Sequence, residues 1–453
     1  MGQITRRKML GVLGTLSVGS VAASAVTAEN QAMATELKAD YQTEVLVCGG
    51  GPAGIAAATM AARLGRKVLL LERYGRLGGM AIQACVFPLL GNADSPFLRE
   101  VHAKTGGIYY EPSKLDLIYA DFVMNAGAKV LLHSYITETL KDGNRVVGVR
   151  VMTKQGPLSV LGDVVIDATG DGDVAAGAGA EFEVGRKSDG LMQPMSIMYM
   201  IDGMGPNAQL CGGEYEARII KVGDKSWEQI VMDAHETGEL PRNIGVIRTY
   251  PLPRQGAAVV NTTQINYVSG LKVEDLTKAE FEGRRQAPMI VDFLKKHMPG
   301  YENVYITQMP AVVGVRETRR ILGHQYLTLE DLMAGRSWDD AVVRRAEFGI
   351  DIHNPDGGGQ AAHRTEETPQ GDSDCPKPYD IPLGCLIPKG LDGLLVAGRC
   401  ISGSHEAHAS YRVQNICLAI GSAAGTAAAL ALRNRCALTA VNAAEVRDKL
   451  GVN

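Results

Sequence analysis

The sequence predicts an α/β fold in which a mostly parallel sheet is interrupted by an inserted α+β region. Three observations predict it. An apolar run, Glu44-Val45-Leu46-Val47-Cys48, leads directly into Gly49-Gly50-Gly51-Pro52-Ala53-Gly54. A second run, Val164-Val165-Ile166-Asp167, ends in Ala168-Thr169-Gly170. Between about Met192 and Asp351 the pattern changes to mixed strands and charged helices, after which Leu391 to Ala397 resumes the first pattern. Continuous apolar runs bounded by glycine are the mark of parallel strands buried on both faces.

The first residues stand apart from that fold. Thr5-Arg6-Arg7-Lys8-Met9-Leu10 sets two arginines ahead of an apolar stretch from Met9 to Val26, and Val26-Thr27-Ala28 suits a signal peptidase. Residues 1–28 read as a twin-arginine export signal. A retained membrane anchor is the alternative, since the stretch is just long enough to span. That route carries folded proteins, so it predicts a mature protein in the periplasm or at the cell surface of a bacterium. Residues 29–42 are polar and read as a linker.

From residue 43 each element has a local reason. Glu44 to Cys48 is a strand. Ile55 to Leu64 is an alanine-rich helix closed by Gly65, and Lys67 to Leu71 is a second strand closed by Glu72. Strand, glycine turn, helix, strand and acid make one βαβ unit of Rossmann-like type. Leu115 to Asn125 reads as a helix and Ala128 to Tyr135 as a strand. Ile136 to Leu140 and Arg145 to Thr153 read as a hairpin around Asp142-Gly143-Asn144. In the inserted region Ala257 to Asn261 reads as a strand and Glu280 to Lys296 as a helix. Asn354 to Pro378, rich in Gly, Pro and Asp, reads as a long functional loop. Asn415 to Leu432 is a small-residue helix carrying Gly421 and Gly425, and Asn442 with Glu445 reads as the capping box of a last helix to Leu450. The domain limits that follow are 43–190 with 375–435 for the sheet domain, 191–374 for the substrate or cap domain, and 436–453 for a C-terminal helix.

The glycine turn carries chemistry through its spacing. Gly49 permits a tight turn, Gly51 lets the backbone approach a diphosphate, and Gly54 lets the helix pack on the strand. The helix tip at Pro52 and Ala53 offers free N–H groups and partial positive charge to phosphates. Glu72 can take both ribose hydroxyls and would repel a 2′-phosphate. This motif alone does not choose between NAD and FAD. Arg73 followed by Gly78-Gly79 gives a second glycine contact soon after the acid, which suits the longer FAD molecule, as does Ala168-Thr169-Gly170 at the end of a later strand. Gly170-x-Gly172 has no helix, strand and acid after it, so no NAD(P)H domain is read.

Composition narrows the rest. With 45% hydrophobic and 21% charged residues and a formal net charge of −4, the chain is ordinary globular protein. No Lys/Arg block follows the first residues, so nothing reads as a nucleic-acid surface. The eight cysteines form no Cys-x-x-Cys pair and no metal-ligand spacing appears. Most sit in apolar strings and read as buried thiols.

Four passages resemble the FAD-dependent oxidoreductase family related to the flavoprotein subunits of fumarate reductase and succinate dehydrogenase. They are Leu71-Glu72-Arg73-Tyr74-Gly75-Arg76-Leu77-Gly78-Gly79-Met80, Asp167-Ala168-Thr169-Gly170-Asp171-Gly172-Asp173, Arg316-Glu317-Thr318-Arg319-Arg320, and Tyr379-Asp380-Ile381-Pro382 through Gly425. The last contains Ala397-Gly398-Arg399 and His405-Glu406-Ala407. The resemblance implies a glutathione-reductase-like flavoprotein. In it, Ala397, Gly398 and Arg399 meet the ribityl and pyrophosphate part of FAD. The helix beginning near Asn415 and Ile416 points its N-terminus at the flavin ring. Arg399 departs from the fumarate reductase relatives, which carry an acid there. It also implies non-covalent FAD, because no histidine lies between Gly79 and Gly91, where those relatives attach theirs.

For catalysis, His405 could take a hydroxyl proton while hydride leaves the neighbouring carbon, or it is a hydrogen-bonded structural residue. Arg412 could hold a carboxylate or stabilise an alkoxide or enolate. Arg316, Glu317, Arg319 and Arg320 read either as a substrate site, with Arg316 or Arg319 facing the flavin, or as an ion-pair network. His353, His363 and the surrounding loop could form a lid, although a loop histidine is more often solvent-exposed. The expected activity is hydride transfer between a small organic substrate (C–OH or CH–CH) and FAD, with an unidentified electron acceptor or donor and a homo-oligomer allowed. The alternatives are a reductase of an unsaturated carboxylic acid and a non-catalytic flavin-binding protein.

Overall fold

The computed structural model describes residues 39–359 and 376–452. The twin-arginine segment 1–28, the first ten residues of the expected linker, His363 and Cys375 lie outside them. The first strand, β1 (Tyr41–Cys48), starts earlier than expected, because Tyr41 to Thr43 already pair with Val160 to Gly162. Helix α1 (Pro52–Arg63) and strand β2 (Val68–Leu71) complete the βαβ unit. Helix α2 (Pro112–Asn125) follows.

Strand β3 is only Lys129–Leu131, shorter than the expected run to Tyr135, since His133 takes a positive φ of 55° and turns the chain. β4 (Tyr135–Asp142) and β5 (Arg145–Thr153) form the expected hairpin around Gly143-Asn144. β6 (Gly156–Asp167) is longer than the apolar run suggested, because its first half pairs antiparallel with β5 and needs no buried pattern on both faces. β7 (Leu394–Val396) lies parallel on the second half of β6.

The main sheet thus runs β3-β2-β1-β6-β5-β4 with β7 against β6. Its register fixes the site. Cys48 pairs with Leu71 and with Asp167, and Asp167 pairs with Val396. Four parallel strands therefore end on one edge, and their glycine turns, Glu72 and Arg399 all emerge there. Ligands of open parallel sheets bind at that carboxyl edge.

A second core lies in residues 195–313. A four-stranded antiparallel sheet takes the order Arg248–Pro251, Ala258–Asn261, Met198–Asp202, Tyr305–Gln308. Helix α3 (Val273–His297) shares its core: Ala287, Ile290, Phe293 and Leu294 lie in one buried cluster with Tyr199 and Ile201, and the Tyr199 hydroxyl donates to Ala287 O at 3.2 Å. Residues of the following stretch, Ile321 to Ile352, join the first core instead.

Helices α4 (His405–Tyr411) and α5 (Gln414–Asn434) return the chain to the sheet. α5 is long and apolar enough to cross a membrane, but it is buried inside the protein. A Cβ at Gly421 would lie 2.0 Å from the Ala53 carbonyl oxygen, and one at Gly425 would lie 2.1 Å from that of Ala57. The two glycines therefore serve direct packing of α5 on α1. The last helix, α6 (Ala443–Leu450), is capped by Asn442, which accepts from the Ala444 N–H at 2.9 Å. The capping box is not formed: Glu445 turns away to Arg433 and to Asn434 Nδ2 at 2.9 Å. The seven described cysteines are free, and all but Cys436 are buried.

Candidate active site

One cavity of about 1060 Å³ runs from the carboxyl edge of the sheet to the second core. That is at the upper end for a ligand site. Its sheet side is backbone. The Gly49 N–H donates to Leu71 O at 2.8 Å, with φ at 104°, and a Cβ there would sit 2.4 Å from the Ala168 carbonyl oxygen. Gly51 caps α1 and faces the cavity, where a Cβ would meet nothing closer than Gly79 Cα at 3.9 Å. Its bareness serves something outside the protein. A Cβ at Gly54 would lie 1.8 Å from the Gly49 carbonyl oxygen, so this glycine packs helix on strand and does not line the cavity. No side chain caps α1, which leaves its first amides free.

Glu72 is 5% exposed and lines the same cavity. Oε2 accepts from the Gly50 N–H at 2.7 Å and Oε1 from the Tyr74 N–H at 2.8 Å. Each oxygen keeps a lone pair for a ligand hydroxyl. Burial pushes this carboxyl up from its usual range against the pull of those amides.

Pro52, Ala53, Arg73, Gly79, Met80, Ala168, Thr169, Gly170, Gly398 and Arg399 also line the cavity. Four residues expected there do not. The Gly78 N–H donates to Gly50 O at 2.7 Å, which ties the two glycine turns together from behind. Asp171 accepts from Thr318 Oγ1 at 2.8 Å and pairs with Arg399. Asn415 spends its amide on Leu89 O and Gly91 O, at 3.2 and 2.8 Å, and Ile416 is buried beside Gly91. The start of α5 reaches the cavity through Val413 and Gln414 instead. Asp167, which orders the turn, accepts from Thr169 Oγ1 at 2.7 Å and the Ala175 N–H at 2.9 Å, and burial pushes it up to about 6. Among the described residues, three buried polar atoms along the cavity lack a protein partner: Arg399 Nε, Arg412 Nε and Gln414 Oε1. A long ligand with phosphates and a polar ring edge fits those two donors and one acceptor.

The opposite wall is side-chain charge. Arg412 Nη2 donates to Asp351 Oδ2 at 3.1 Å and to its carbonyl at 2.9 Å. Arg248 pairs with Glu214 at 2.5 Å. Arg316 donates to Pro194 O at 2.7 Å and Ser196 Oγ at 2.5 Å, both neutral, and forms no ion pair among the described residues. Burial, with Arg412 beside it, draws Arg316 down to about 9. His353 is buried, with Nε2 facing Asp351 Oδ1 at 3.5 Å. Burial and then Arg316 push its imidazole well below the usual range, so it is neutral. Burial opposes the charged form of Asp351, yet the three arginines beside it hold its carboxyl well below the usual range.

The expected catalytic residues divide. Arg316 and Arg412 line the cavity, but His405 does not. Its Nδ1 meets Glu317 Oε1 at 2.9 Å, and Glu317 also binds Arg320. This is the structural alternative for His405, and the histidine that lines the cavity is His353. Arg319, paired with Asp173 at 2.9 Å, and Arg320, spent on Glu317, Gly185 O and Gly403 O, form the ion-pair network. His353 is the opposite error, a loop histidine read as exposed that the fold buries. Arg248, Asp351 and Gln414 were missed outright. The only local signal was Asp351-Ile352-His353, two polar residues on one side of an apolar one.

The profile of the family described as FAD dependent oxidoreductase matches residues 44–450. The chain is similar to the thiamine thiazole synthase of Methanococcus aeolicus, 32% identical over 158 residues, 30% of this chain and 58% of that protein. It is similar to the dihydrolipoyl dehydrogenase of Haemophilus influenzae, 34% identical over 80 residues, 17% of each chain. It spans less than two thirds of the length of these curated relatives. Among solved structures, a geranylgeranyl bacteriochlorophyll reductase-like protein of Thermoplasma acidophilum superposes over 90% of this chain and 82% of that one, with 16% identity and a TM-score of 0.47.

Proposed function

The chain belongs to the FAD-dependent oxidoreductase family, and from that premise we propose that this enzyme oxidises a C–OH or CH–CH bond of a small anionic organic substrate. One observation carries the reading: the glycine cradle and the cluster of Arg316, Arg412, Arg248 and neutral His353 share one continuous cavity. FAD, held there without a covalent link, supplies the acceptor for the substrate hydride. The first amides of α1 receive the diphosphate, and the free lone pairs of Glu72 receive the ribose hydroxyls. Arg248 and Arg412 have carboxylate partners and the half-buried Arg316 has none among the described residues, so the wall carries one positive charge more than its carboxylates offset. A charge of that kind calls for an anion. Arg316 and Arg412 hold the substrate's anionic group. With Nε2 turned to Asp351, His353 keeps Nδ1 to accept the hydroxyl proton, and Asp351 stabilises the imidazolium that forms.

Anaerobic mixing of the FAD-loaded protein with small hydroxy and saturated carboxylic acids, followed at the flavin absorbance band, tests this. Bleaching by at least one is expected, slowed about 10²–10⁴-fold in His353→Gln with FAD retained. A yellow protein that no such acid bleaches, or a His353→Gln rate equal to wild type, overturns the reading.

Reduction of an unsaturated acid, which a narrower kinship with fumarate reductase would entail, is the second reading. It is favoured by Arg316, drawn down to about 9 and so a better proton donor than an ordinary guanidinium. Reoxidation of reduced enzyme by an enoate, lost in Arg316→Lys, would select it. The antiparallel layer with α3 is read as a cap inserted into a glutathione-reductase-like flavoprotein. Residues 1–28 are read as the signal that exports the enzyme. Export of a 1–40 reporter fusion that survives Arg6→Lys with Arg7→Lys would remove that last point.

A further inference from the structure

Behind the charged wall lies a buried amide that this catalytic reading leaves without a role. Gln193, 1% exposed, sits outside the cavity in the segment leading to the Met198–Asp202 strand. Its Oε1 accepts from the His353 backbone N–H at 3.1 Å and from Arg412 Nη2 at 3.4 Å. Its own N–H donates to Glu317 Oε2 at 3.1 Å. Glu317 is held in turn by Arg320 and by His405 Nδ1. A line of polar contacts therefore runs from His405 through Glu317 and Gln193 to the two residues that face the substrate.

The other end of the amide has no partner among the described residues. Gln193 Nε2 is buried without an acceptor. The amide is not reversible, because a flipped one would set NH₂ against two N–H donors. A buried unsatisfied donor is costly, and an apolar side chain of the same shape would avoid that cost. The acceptor function of Oε1 accounts for the residue, whereas packing alone does not.

We propose that Gln193 is a positioning residue: its one carbonyl oxygen sets His353 and Arg412 relative to each other, and the Glu317–His405 pair anchors the backbone that carries it. The proposal rests on the reading of His353 and Arg412 given above. His405 and Glu317, which never reach the cavity, then act on the site through this amide.

Gln193→Met and Gln193→Glu in the FAD-loaded protein test it, with Gln193→Leu as a further apolar variant should Gln193→Met fail to fold. Two quantities are read: hydrogen–deuterium exchange of the His353 amide, and the Kd of sodium malonate from its perturbation of the flavin band. In Gln193→Met the His353 amide is expected to exchange about tenfold faster and malonate to bind about tenfold more weakly, with FAD content unchanged. Gln193→Glu keeps an acceptor for the same two donors and restores the slow exchange. Wild-type exchange in Gln193→Met overturns the proposal, as does fast exchange that Gln193→Glu leaves fast. Failure of the catalytic reading shows separately, as a yellow wild-type protein that no substrate bleaches, because exchange at His353 is read without substrate.

Discussion

The sheet edge of the cavity works through backbone, whereas the wall around Arg316 works through charged side chains. At the edge, Gly49, Gly51 and Gly54 act by lacking a Cβ, and even Glu72 is oriented by two main-chain amides. At the wall, Arg248, Arg316, Arg412 and the Asp351-Ile352-His353 stretch come from four separate places in the chain, with Arg248 paired to Glu214 and Arg412 to Asp351. A backbone site tolerates no added atom but is indifferent to most side chains. A charge site tolerates changes of shape but not of ionisation. Damage to the first should appear as lost fold and lost FAD, and damage to the second as lost chemistry in a sound protein.

The sharpest break of that contrast is Gly54→Ala. Its methyl would lie 1.8 Å from a carbonyl oxygen fixed between strand and helix. A loss of about 3 kcal/mol or more is expected, read by denaturant unfolding together with failure to take up FAD. A stable yellow variant would mean that the edge is not limited by backbone contact. Glu72→Gln comes next. One of its two amide donors would then face an NH₂ group, costing about 1–3 kcal/mol. The Kd for FAD, measured by calorimetry on apoprotein, should rise roughly ten- to hundredfold.

The wall predicts the opposite pattern. Arg316→Met removes a half-buried cation that forms no ion pair among the described residues. Stability should hold or rise by about 1 kcal/mol, while malonate binding and substrate-dependent bleaching are lost. A melting temperature that falls together with binding would place Arg316 among the structural residues.

The smallest effect is with acid. His353 and His408 are neutral inside the fold, with folded pKa values well below 6.5. The unfolded chain therefore binds more protons than the folded one as pH falls, and stability is lost progressively below pH 6.5. Asp351, held low in the fold, contributes stability above the ordinary carboxylate range that is lost at still lower pH. His408 is 0% exposed and neither ring nitrogen has a hydrogen-bond partner among the described residues. His408→Leu should gain up to about 1 kcal/mol at pH 7 and flatten the fall in melting temperature between pH 7 and 5.

The same contrast explains what could be read from the sequence. The cradle was legible because its parts lie close together, from Gly49 to Glu72, and a diphosphate demands that spacing of any chain. Where the reading slipped, at Gly78, Asp171, Asn415 and Ile416, the residue lies one layer behind the surface it supports. The wall was only partly legible. Arg316 was singled out together with Arg319 and Arg320, and nothing local separates the one that faces the cavity from the two that do not. His353 comes two residues after Asp351 in a loop, and only tertiary packing buries it. His405 sits beside a family motif, yet its ring is committed to a carboxylate 88 positions away.

The seating of Gly421 and Gly425 on the main chain of Ala53 and Ala57 has a mechanical result. The starts of α1 and α5 both open on the cavity, through Pro52 and Ala53 in one helix and Val413 and Gln414 in the other. At these two points no side chain separates the two rods, so neither can move closer to its neighbour there without a steric clash. The gap between their tips is a fixed gauge, and a mononucleotide too short to touch both would rattle at one end.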